Sequence, residues 1–239
     1  MEMNLDCSIS VVIATFGAEE WRKKAKIAAR SVLAQSLQPK DLQLIHGATL
    51  CAARNEAAKN AQGEWLLFLD ADDSLAPGYL AAMQQAIRLY GGLDCLLQPS
   101  TSFVVNGSPK APPAPLPPYP ILEQNYLIVA TLVRRDKFLQ VGGFRELDMF
   151  EDWDLWLRCL VSGSQVRVVP DAVYEVTFNP KGRNKTSVEL NNRITYELRA
   201  KYWPQVYGGT LPNHYLARLY FEKKLYELRN LFRRLISAQ

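Results

Sequence analysis

Cysteine, histidine and excess charge are all scarce in this chain of 239 residues, which contains 4 Cys and 2 His and has a formal net charge of +4. The four cysteines are widely separated and three lie in apolar segments, so their spacing is typical of neither a zinc site nor a disulfide framework. The 28 basic and 24 acidic residues are dispersed, which argues against a nucleic-acid partner. We therefore expect a protein of a reducing, cytoplasmic compartment.

Long apolar runs are also missing. No segment approaches the roughly 18 to 20 consecutive apolar residues that a membrane-spanning helix requires. The N-terminal stretch MEMNLDCSIS has neither a basic start nor a long apolar run, so we expect no secretory signal. A chain of this length with 48% hydrophobic residues can instead bury one substantial core.

The first half of the chain alternates strand-like and helix-like segments. Runs of β-branched residues are typical of buried strands, whereas apolar residues at spacings of three and four are typical of one helix face. The predicted elements are a strand at Ser10–Thr15, a helix from Glu19, a strand at Leu42–Ile45, a helix at Leu50–Ala61, a strand in EWLLFLD, and a helix at Ala76–Tyr90. Such alternation predicts an α/β fold with a mostly parallel central sheet flanked by helices.

The second half is less regular and predicts a small second sheet region followed by C-terminal helices. Asn106-Gly107 is typical of a hairpin turn, and the proline-rich segment Pro109–Pro120 predicts an extended surface loop. The predicted strands are Leu93–Gln98, Ser102–Val105, Tyr126–Val133, Val166–Val169 and Val173–Phe178. The predicted helices are a short one before Gly142-Gly143, one around Trp153–Leu160, and two near Glu189–Lys201 and Tyr215–Ser237.

Three carboxylates crowd the end of the third predicted strand, in the segment EWLLFLDADDS: Asp70, Asp72 and Asp73. Residues two apart in an extended segment point the same way, so Asp70 and Asp72 can converge on one point, with Asp73 beside them. Such oxygen ligands suit Mg²⁺ or Mn²⁺ carrying a diphosphate. The alternative is a helix N-terminus, in which Asp73 or Ser74 caps a helix that begins near Pro77.

A second acidic pair, Glu151-Asp152, precedes two tryptophans in the segment FEDWDLWLRCL. A carboxylate near an acceptor hydroxyl can act as a general base, and capping of the following helix by Asp152 is the structural alternative. Trp153 and Trp156 could stack on a sugar ring, although their helical spacing is more typical of a core.

Four motifs in this order resemble the family 2 glycosyltransferases, which have the GT-A nucleotide-diphospho-sugar transferase fold. They are SVVIATFGAEEWRKKAKIAARSVLAQSL, AARNEAAKNAQGEWLLFLDADD, VGGF and EDWDLWLR, and they extend from about Ser8 to about Ser162. The resemblance implies transfer of a sugar, with inversion, from a nucleotide-diphospho-sugar to an acceptor hydroxyl. It also implies that Mn²⁺ or Mg²⁺ assists the reaction.

Carried over by position, the resemblance implies a set of residues for the nucleotide sugar and the metal. Asp70 and Asp72 match the family's Asp-X-Asp motif, with Asp72 as the metal ligand and Asp70 at the ribose or in the metal shell. Asp73 would assist through water. Thr15 and Arg54 fall where the family lines its nucleotide pocket, and the structural alternative for Arg54 is a solvated helix charge.

The resemblance also implies the catalytic base. Asp152 matches the position that the family usually assigns to this base, and Glu151 lies beside it. The base would take the proton of the acceptor hydroxyl while the metal stabilises the departing diphosphate.

One motif of the family is missing. The family's second strand usually ends in acids, in a pattern like Asp-Asp-Gly-Ser, whereas this chain has His46-Gly47 there and reaches the ARN helix without an intervening strand and helix. We therefore expect the nucleotide pocket to be pared down or rebuilt, and a UDP-sugar is a default donor and not a deduction from the residues. His46 is either a contact for the nucleotide base or an ordinary surface residue.

The resemblance implies one glycosyltransferase domain over residues 1–239, with a nucleotide-sugar-binding half at about 8–98, an acceptor-side half at about 99–180 and a helical tail at 181–239. The implied acceptor is a glycan, a lipid-linked molecule or a protein. The basic last helix would either lie peripherally on the inner face of a membrane or pack against the domain or a second copy. Two other functions stay open, a nucleotidyltransferase of similar architecture and a degenerate, non-catalytic binding module.

Overall fold

The computed structural model describes residues 7–105, 108–109, 121–177, 188–210 and 212. The chain divides into two compact units, of which the first takes in residues 1–121 and 125–180 and the second takes in 122–124 and 181–239. The features predicted at Asn106-Gly107, in the loop after Pro109 and at Tyr215–Ser237 lie outside the described residues. The single domain stays a prediction.

The first unit alternates strands and helices, as predicted for its first half. Its strands are β1 (Ile9–Phe16), β2 (Asp41–Gly47), β3 (Trp65–Phe68), β4 (Ser74–Leu75), β5 (Cys95–Val105), β6 (Ser108–Pro109), β7 (Val133–Arg134) and β8 (Gln165–Thr177). Its helices are α1 (Glu19–Leu33), α2 (Leu50–Asn60), α3 (Tyr79–Tyr90), α4 (Arg135–Gln140) and α5 (Glu151–Val161).

Two four-stranded sheets form the framework of the first unit. The first has the order β2-β1-β3-β7, in which β1 is parallel to both β2 and β3 and β7 is antiparallel to β3. The second has the order β4-β8-β5-β6, in which β5 and β8 are parallel. Leu97 and Leu132 exchange two backbone hydrogen bonds and join the sheets. The predicted mostly parallel central sheet and small second sheet region are therefore confirmed.

The core explains why these segments form this sheet. Every residue of β3 is buried, as expected for a central parallel strand that is covered on both faces. Helices α1 and α2 both pack against β1, and the buried face of α1 consists largely of alanines, which allow close approach to the sheet. The carboxyl ends of β1, β2 and β3 consequently lie along one edge, the place where ligands bind in parallel α/β sheets.

The helix predicted at Ala76–Tyr90 begins later, at Tyr79, and its N-cap is Gly78 in the left-handed conformation. Pro77 lies before the helix, and Ser74 belongs to β4, which pairs with β8. The prediction was wrong here because the pairing of Ser74 and Leu75 with β8 is a long-range contact that local residue preferences do not encode. Neither Asp73 nor Ser74 caps the helix.

The strand predicted at Tyr126–Val133 was also wrong, since only Val133–Arg134 forms a strand and Leu132 forms an isolated bridge. Tyr126 to Ala130 is largely buried without strand pairing. Side chains supply hydrogen bonds there instead: Gln98 donates to the Tyr126 carbonyl at 2.8 Å, and Tyr79 donates to the Ala130 carbonyl at 3.0 Å. An apolar run shows that a segment is buried, but not which partner its backbone finds.

In two places, two strands predicted from the sequence form a single continuous strand in the structure. The strands predicted at Leu93–Gln98 and Ser102–Val105 both lie within β5, and those predicted at Val166–Val169 and Val173–Phe178 lie within β8 as far as Thr177. The β5–β8 register shifts between Pro99 and Ser100. A bulge of this kind lets the pairing continue past a proline, which in sheets is tolerated at such irregularities.

The second unit contains helix α6 (Val188–Val206), which extends beyond the predicted Glu189–Lys201. Within this unit the Arg199 side chain donates hydrogen bonds to the carbonyls of Leu122 and Glu123, at 2.6 and 2.7 Å. Among the helices of the described ranges, none combines the length and the apolarity that crossing a membrane would take.

Gly63, which leads into β3, should be indispensable for the packing of β1 against this turn. Its N–H donates to Ser10 Oγ at 2.7 Å, and a Cβ at this position would lie 2.6 Å from both the Ser8 carbonyl oxygen and the Ser10 nitrogen. We expect Gly63→Ala to lower the free energy of unfolding by about 1–3 kcal/mol, the usual cost of overpacking, as measured by urea denaturation.

The matched control is Gly92→Ala. Gly92 is exposed, and a Cβ there would have no neighbour within 4 Å. Equal unfolding free energies for the two variants would contradict the close approach at Gly63.

Candidate functional site

The centre of the candidate site is Arg54, a buried arginine on α2 whose side chain is 3% exposed. Its Nη2 donates to Asp70 Oδ1 at 2.6 Å, and its Nη1 donates to Glu151 Oε1 at 3.1 Å. Its guanidinium also lies 4.9 Å from the centre of the Phe144 ring. Arg54 therefore joins the end of β3 to the start of α5, and its structural alternative as a solvated helix charge was wrong.

The charge state of Arg54 follows from these contacts. Burial lowers the pKa of Arg54, but the carboxylates of Asp70, Glu151 and Asp152 outweigh burial, and the pKa is raised overall. Arg54 is thus a permanent cation among three acids. Among the described residues, three acids act on the pKa of this one cation.

The acidic turn after β3 separates its carboxylates into different surroundings. Asp70 is partly exposed and faces Arg54, whereas Asp73 is turned towards β8. Tyr174 donates to Asp73 Oδ2 and the Thr177 N–H donates to Asp73 Oδ1, both at 2.8 Å. Asp72, which lies between Asp70 and Asp73 in the sequence, has a half-buried side chain. Asp73 therefore fastens the turn to β8, a contact that the sequence did not reveal.

The environment of Asp73 raises the pKa of its carboxyl to about 8. Burial is the main cause and the charge of Asp70 adds to it, while the hydrogen bonds from Thr177 and Tyr174 act in the opposite direction. Burial also raises the pKa of the Tyr174 phenol well above its usual value. Tyr174 thus remains a hydrogen-bond donor to Asp73 throughout the physiological range.

Glu151 and Asp152 lie in the first turn of α5 and have different partners. The N-cap of this helix is Phe150, at φ +63°, so Asp152 does not cap it. Asp152 Oδ1 accepts the Trp153 N–H at 2.7 Å, and Oδ2 lies 3.5 Å from Asn125 Nδ2. Glu151 is 5% exposed, and it faces Arg54. The helix therefore presents one carboxylate to Arg54 and a second beside it.

The pKa of Asp152 is raised to about 7, chiefly by burial and then by the charge of Glu151. The Trp153 N–H and Arg54 oppose this shift. A carboxyl with such a pKa takes up and releases a proton near neutral pH, which is the property that a general base needs.

Trp153 and Trp156 are core residues, at 2% and 0% exposure. Trp153 Nε1 donates to the Ile121 carbonyl at 2.8 Å, and the Phe150 ring meets the Trp153 ring edge-on at 5.5 Å. Stacking of either tryptophan on a sugar ring is therefore ruled out by burial, as the helical spacing suggested.

Thr15 and His46 lie at the neighbouring ends of β1 and β2, where the parallel register places them opposite each other. Thr15 is buried, and its Oγ1 lies 3.0 Å from His46 Nδ1. Residues 48–49 lead from β2 directly into α2, whose N-cap Thr49 accepts the Ala52 N–H. The chain thus passes directly from the His46 strand to the Arg54 helix.

Two side chains that sequence reasoning missed hold the VGGF turn before α5. Asn55 accepts the Phe144 N–H and donates to the Phe144 carbonyl, both at 2.8 Å, and Arg158 donates to the carbonyls of Val141 and Gly143. Gly143 has φ +64°, and a Cβ there would lie 2.5 Å from Asn55 Oδ1. These bonds join the ARN and VGGF motifs, and nothing in the sequence spacing of the two motifs indicates that they are in contact.

The carboxylates differ in how well they fit a divalent cation. In the part of the chain that the structure describes, no three His, Cys, Asp or Glu side chains form a group able to hold a metal ion. Asp73 uses one lone pair of each carboxylate oxygen to accept from Tyr174 and from the Thr177 N–H, and its metal role, which was expected to act through water, stays a prediction. Asp72 and Asp70, which also contacts Arg54, are compatible with the role, since Mg²⁺ bound to phosphates typically needs only one or two protein carboxylates.

The chain is similar in sequence to glycosyltransferases. The sequence model described as "Glycosyl transferase family 2" matches residues 25–92, which contain Arg54 and the acidic turn. A Haemophilus influenzae protein named "Uncharacterized glycosyltransferase" is 26% identical over 149 residues, which make up 59% of this chain. This match covers half of that relative's length.

Solved structures of S. aureus TarS share the fold. The structure of TarS residues 1–349 in complex with UDP-GlcNAc has a TM-score of 0.65 and 19% identity, and the match covers 89% of this chain and 71% of that one. The complex of the same TarS segment with UDP has a TM-score of 0.62, also at 19% identity, with 89% and 70% covered. This likeness confirms the GT-A type fold.

Removal of the Arg54 charge should destabilise the protein. We expect Arg54→Met to lower the free energy of unfolding by about 3–5 kcal/mol, because the buried carboxylate of Glu151 would lose the guanidinium that it contacts at 3.1 Å. Arg54→Lys should lower the free energy of unfolding by an intermediate amount. A lysine keeps the charge but cannot form the Arg54 fork, the pair of hydrogen bonds from one guanidinium to Asp70 and Glu151. Urea denaturation at pH 7 measures both effects.

Lys59→Ala serves as the control on the same helix, because Lys59 is exposed and outside the cluster. A loss for Arg54→Met no larger than that for Lys59→Ala would show that the fork contributes nothing to folding.

Proposed function

We propose that this chain, whose residues 25–92 match the sequence model of glycosyl transferase family 2, transfers a sugar from a nucleotide-diphospho-sugar to an acceptor hydroxyl, with inversion and with the assistance of Mg²⁺ or Mn²⁺. The observation that carries the proposal is the Arg54 fork, which brings the acidic turn and the Glu151–Asp152 helix start to one place. The groups that would anchor the donor and the group that would accept a proton are then neighbours. A nucleotidyltransferase or a non-catalytic module has no such observation in its favour.

Asp152 is the proposed general base. It would accept the proton of the acceptor hydroxyl on a carboxylate oxygen while that hydroxyl forms the new bond to the anomeric carbon. Attack from the face opposite the departing diphosphate inverts that carbon. The Trp153 N–H holds Oδ1 at 2.7 Å and keeps the carboxylate oriented.

Glu151 is proposed as a positioning residue and not as a second catalytic group. It is almost fully buried and bonded to Arg54, so it has no access to an acceptor. Through Arg54 it fixes the orientation of Asp70. The predicted catalytic role of Glu151 is replaced by this indirect one.

Asp72, with Asp70, would hold the divalent cation, and Thr15 would line the nucleotide pocket at the end of β1. The cation would supply positive charge that stabilises the departing nucleoside diphosphate. Without it, the carboxylates of this turn would repel an anionic donor. A UDP-sugar is the default donor, and the UDP-GlcNAc and UDP complexes of the structural neighbour support a nucleotide-sugar ligand for this fold.

The remaining expectations also stand as proposals. The acceptor is a glycan, a lipid-linked molecule or a protein, and the protein acts in the cytoplasm or at the inner face of a membrane. Membrane contact or dimerisation was predicted for the last helix, which lies outside the described residues. One glycosyltransferase domain remains our proposal for residues 1–239.

Replacement of the base should separate turnover from binding. We expect Asp152→Asn to lower transfer, or hydrolysis of a UDP-sugar, by at least about 100-fold, the usual contribution of general base catalysis, while UDP affinity measured calorimetrically stays within about twofold. In the wild type the rate should rise as pH increases through about 7, because the base must be ionised and its pKa is about 7.

The same substitution should stabilise the fold at neutral and higher pH. The folded-state pKa of Asp152 is raised from 3.8 to about 7, so the wild type loses stability between these values as pH rises, and asparagine removes that loss. The melting temperature of Asp152→Asn should therefore exceed that of the wild type at pH 8. Asp171→Asn, at an exposed carboxyl on β8, is the control. Wild-type turnover in Asp152→Asn would show that Asp152 is not the general base.

The metal assignment can be tested by binding alone. We expect MnCl₂ to increase UDP affinity in the wild type and EDTA to abolish the increase, whereas Asp72→Ala should bind UDP equally weakly under both conditions. Asp136→Ala, at an exposed carboxyl on α4, should respond to MnCl₂ as the wild type does. An undiminished Mn²⁺ response in Asp72→Ala would contradict the role of Asp72.

A further inference from the structure

Strand β2 is an edge strand of the first sheet. The order of that sheet is β2-β1-β3-β7, so among the described residues β1 is the strand that pairs with β2. In such a pair only alternate residues direct their backbone N–H and C=O groups at the neighbouring strand. The other residues of Asp41–Gly47 direct theirs outwards, and no backbone group elsewhere in the described ranges bonds to them. The outer edge of β2 therefore presents a row of unpaired donors and acceptors.

The features that usually protect an edge strand from pairing are missing in β2. Prolines, bulges, lysines and inward-pointing charges are the common ones. The register of β2 on β1 runs through all 7 residues without a shift, and Asp41–Gly47 contains neither proline nor lysine. The carboxylate of Asp41 is engaged within the unit, because it accepts from Ser10 Oγ, the Gln62 N–H and Gln43 Nε2. Nothing in this strand itself opposes a further strand at its outer edge.

Apolar side chains also continue to the outer edge of the sheet. Paired residues of parallel strands lie on the same face, so Leu42 and Leu44 lie beside Val11 and Ile13. Val11 and Ile13 are both 0% exposed, whereas Leu44 is 47% exposed and Leu42 is half-buried. The apolar layer over β1 thus ends at a leucine that is covered on one side only. A further strand beside β2 would bury the rest of it.

A second copy of β2 fits this edge in both register and charge. Two β2 strands can run antiparallel about a two-fold axis at Leu44, so that each strand pairs over its whole length. No like charges are then opposed, because the one carboxylate of the strand faces a glycine, and the two exposed leucines meet on the same face. The facing residues are Leu44 with Leu44, Gln43 with Ile45, Leu42 with His46, and Asp41 with Gly47.

We propose that β2 is an interface between two copies of this chain, which join their sheets by antiparallel pairing about a two-fold axis at Leu44. Each copy contributes four strands to the joined sheet, in the order β7-β3-β1-β2 and then the reverse. Because the two β2 strands run in opposite directions, the two candidate sites lie at opposite edges of the joined sheet. This interface does not involve the last helix, and it does not depend on the proposed function.

Sedimentation of the full chain tests the association. A single strand pair is smaller than a standard protein interface, so we expect a dimer that dissociates on dilution in the micromolar range. Leu44→Lys places two like charges on the axis and should leave only monomer. The matched control is Leu89→Lys, since Leu89 is 69% exposed and lies on α3, outside the proposed interface. This control should associate as the wild type does.

Cysteine cross-linking tests the register. At the two-fold axis the two Cα atoms of residue 44 would lie about 4.5–5.5 Å apart, a separation that suits a disulfide, so Leu44→Cys should form covalent dimers under mild oxidation. Leu42→Cys should not, because its two copies would lie about 13 Å apart along the strands. The native cysteines are all buried and should not compete. Gel electrophoresis without reductant measures the difference.

Each measurement has an outcome that would overturn the interface. A wild type that stays monomeric up to the highest soluble concentration would do so. A dimer that persists in Leu44→Lys would also do so, because the contact would then lie elsewhere on the chain. Equal cross-linking of the two cysteine variants would contradict the axis at Leu44. The melting temperatures of the variants should show that they fold.

Discussion

The buried guanidinium of Arg54 is the interaction on which the candidate site depends. A charge removed from water is costly unless it is paired and hydrogen-bonded, and Arg54 meets this requirement only by contacting both Asp70 and Glu151. Asp70 follows a strand of the central sheet, and Glu151 begins a helix whose first residue lies 97 positions after Arg54 in the sequence. The folded state therefore forms the site as part of satisfying one buried cation, so we regard stability and function as coupled here.

The carboxylates around Arg54 have different roles because they have different neighbours. Asp73 is bonded to Tyr174 and Thr177 and fastens the turn to β8. Glu151 compensates the charge of Arg54, and burial beside Glu151 raises the pKa of Asp152 into the range of a base. Asp72, together with Asp70, which contacts Arg54, is the proposed ligand of the cation. Residues that look equivalent in the sequence are thus distinguished by burial and by hydrogen bonds.

Much of the architecture could be predicted, and the errors have a common cause. The strands at Ser10–Thr15 and Leu42–Ile45 and the helix at Leu50–Ala61 were placed within a few residues, because their apolar periodicity is local. The run from Tyr126 was predicted to be a strand because its apolar residues indicate burial. They do not indicate which groups its backbone bonds to. The start of α3 was placed too early because the pairing of Ser74 with β8 involves residues about a hundred positions apart.

The sequence by itself determined the alternation of elements and the order of motifs, and hence the family resemblance and the candidate residues Thr15, Arg54, Asp70, Asp72 and Asp152. Only the tertiary structure decided what each candidate does. The contacts that decide these roles all join residues that are distant along the chain. They are the bond from Arg54 to Glu151, the bond from Tyr174 to Asp73 and the contact of His46 with Thr15. Periodicity and local propensity report on neighbours in sequence, whereas desolvation, pKa and hydrogen-bond partnership depend on neighbours in space.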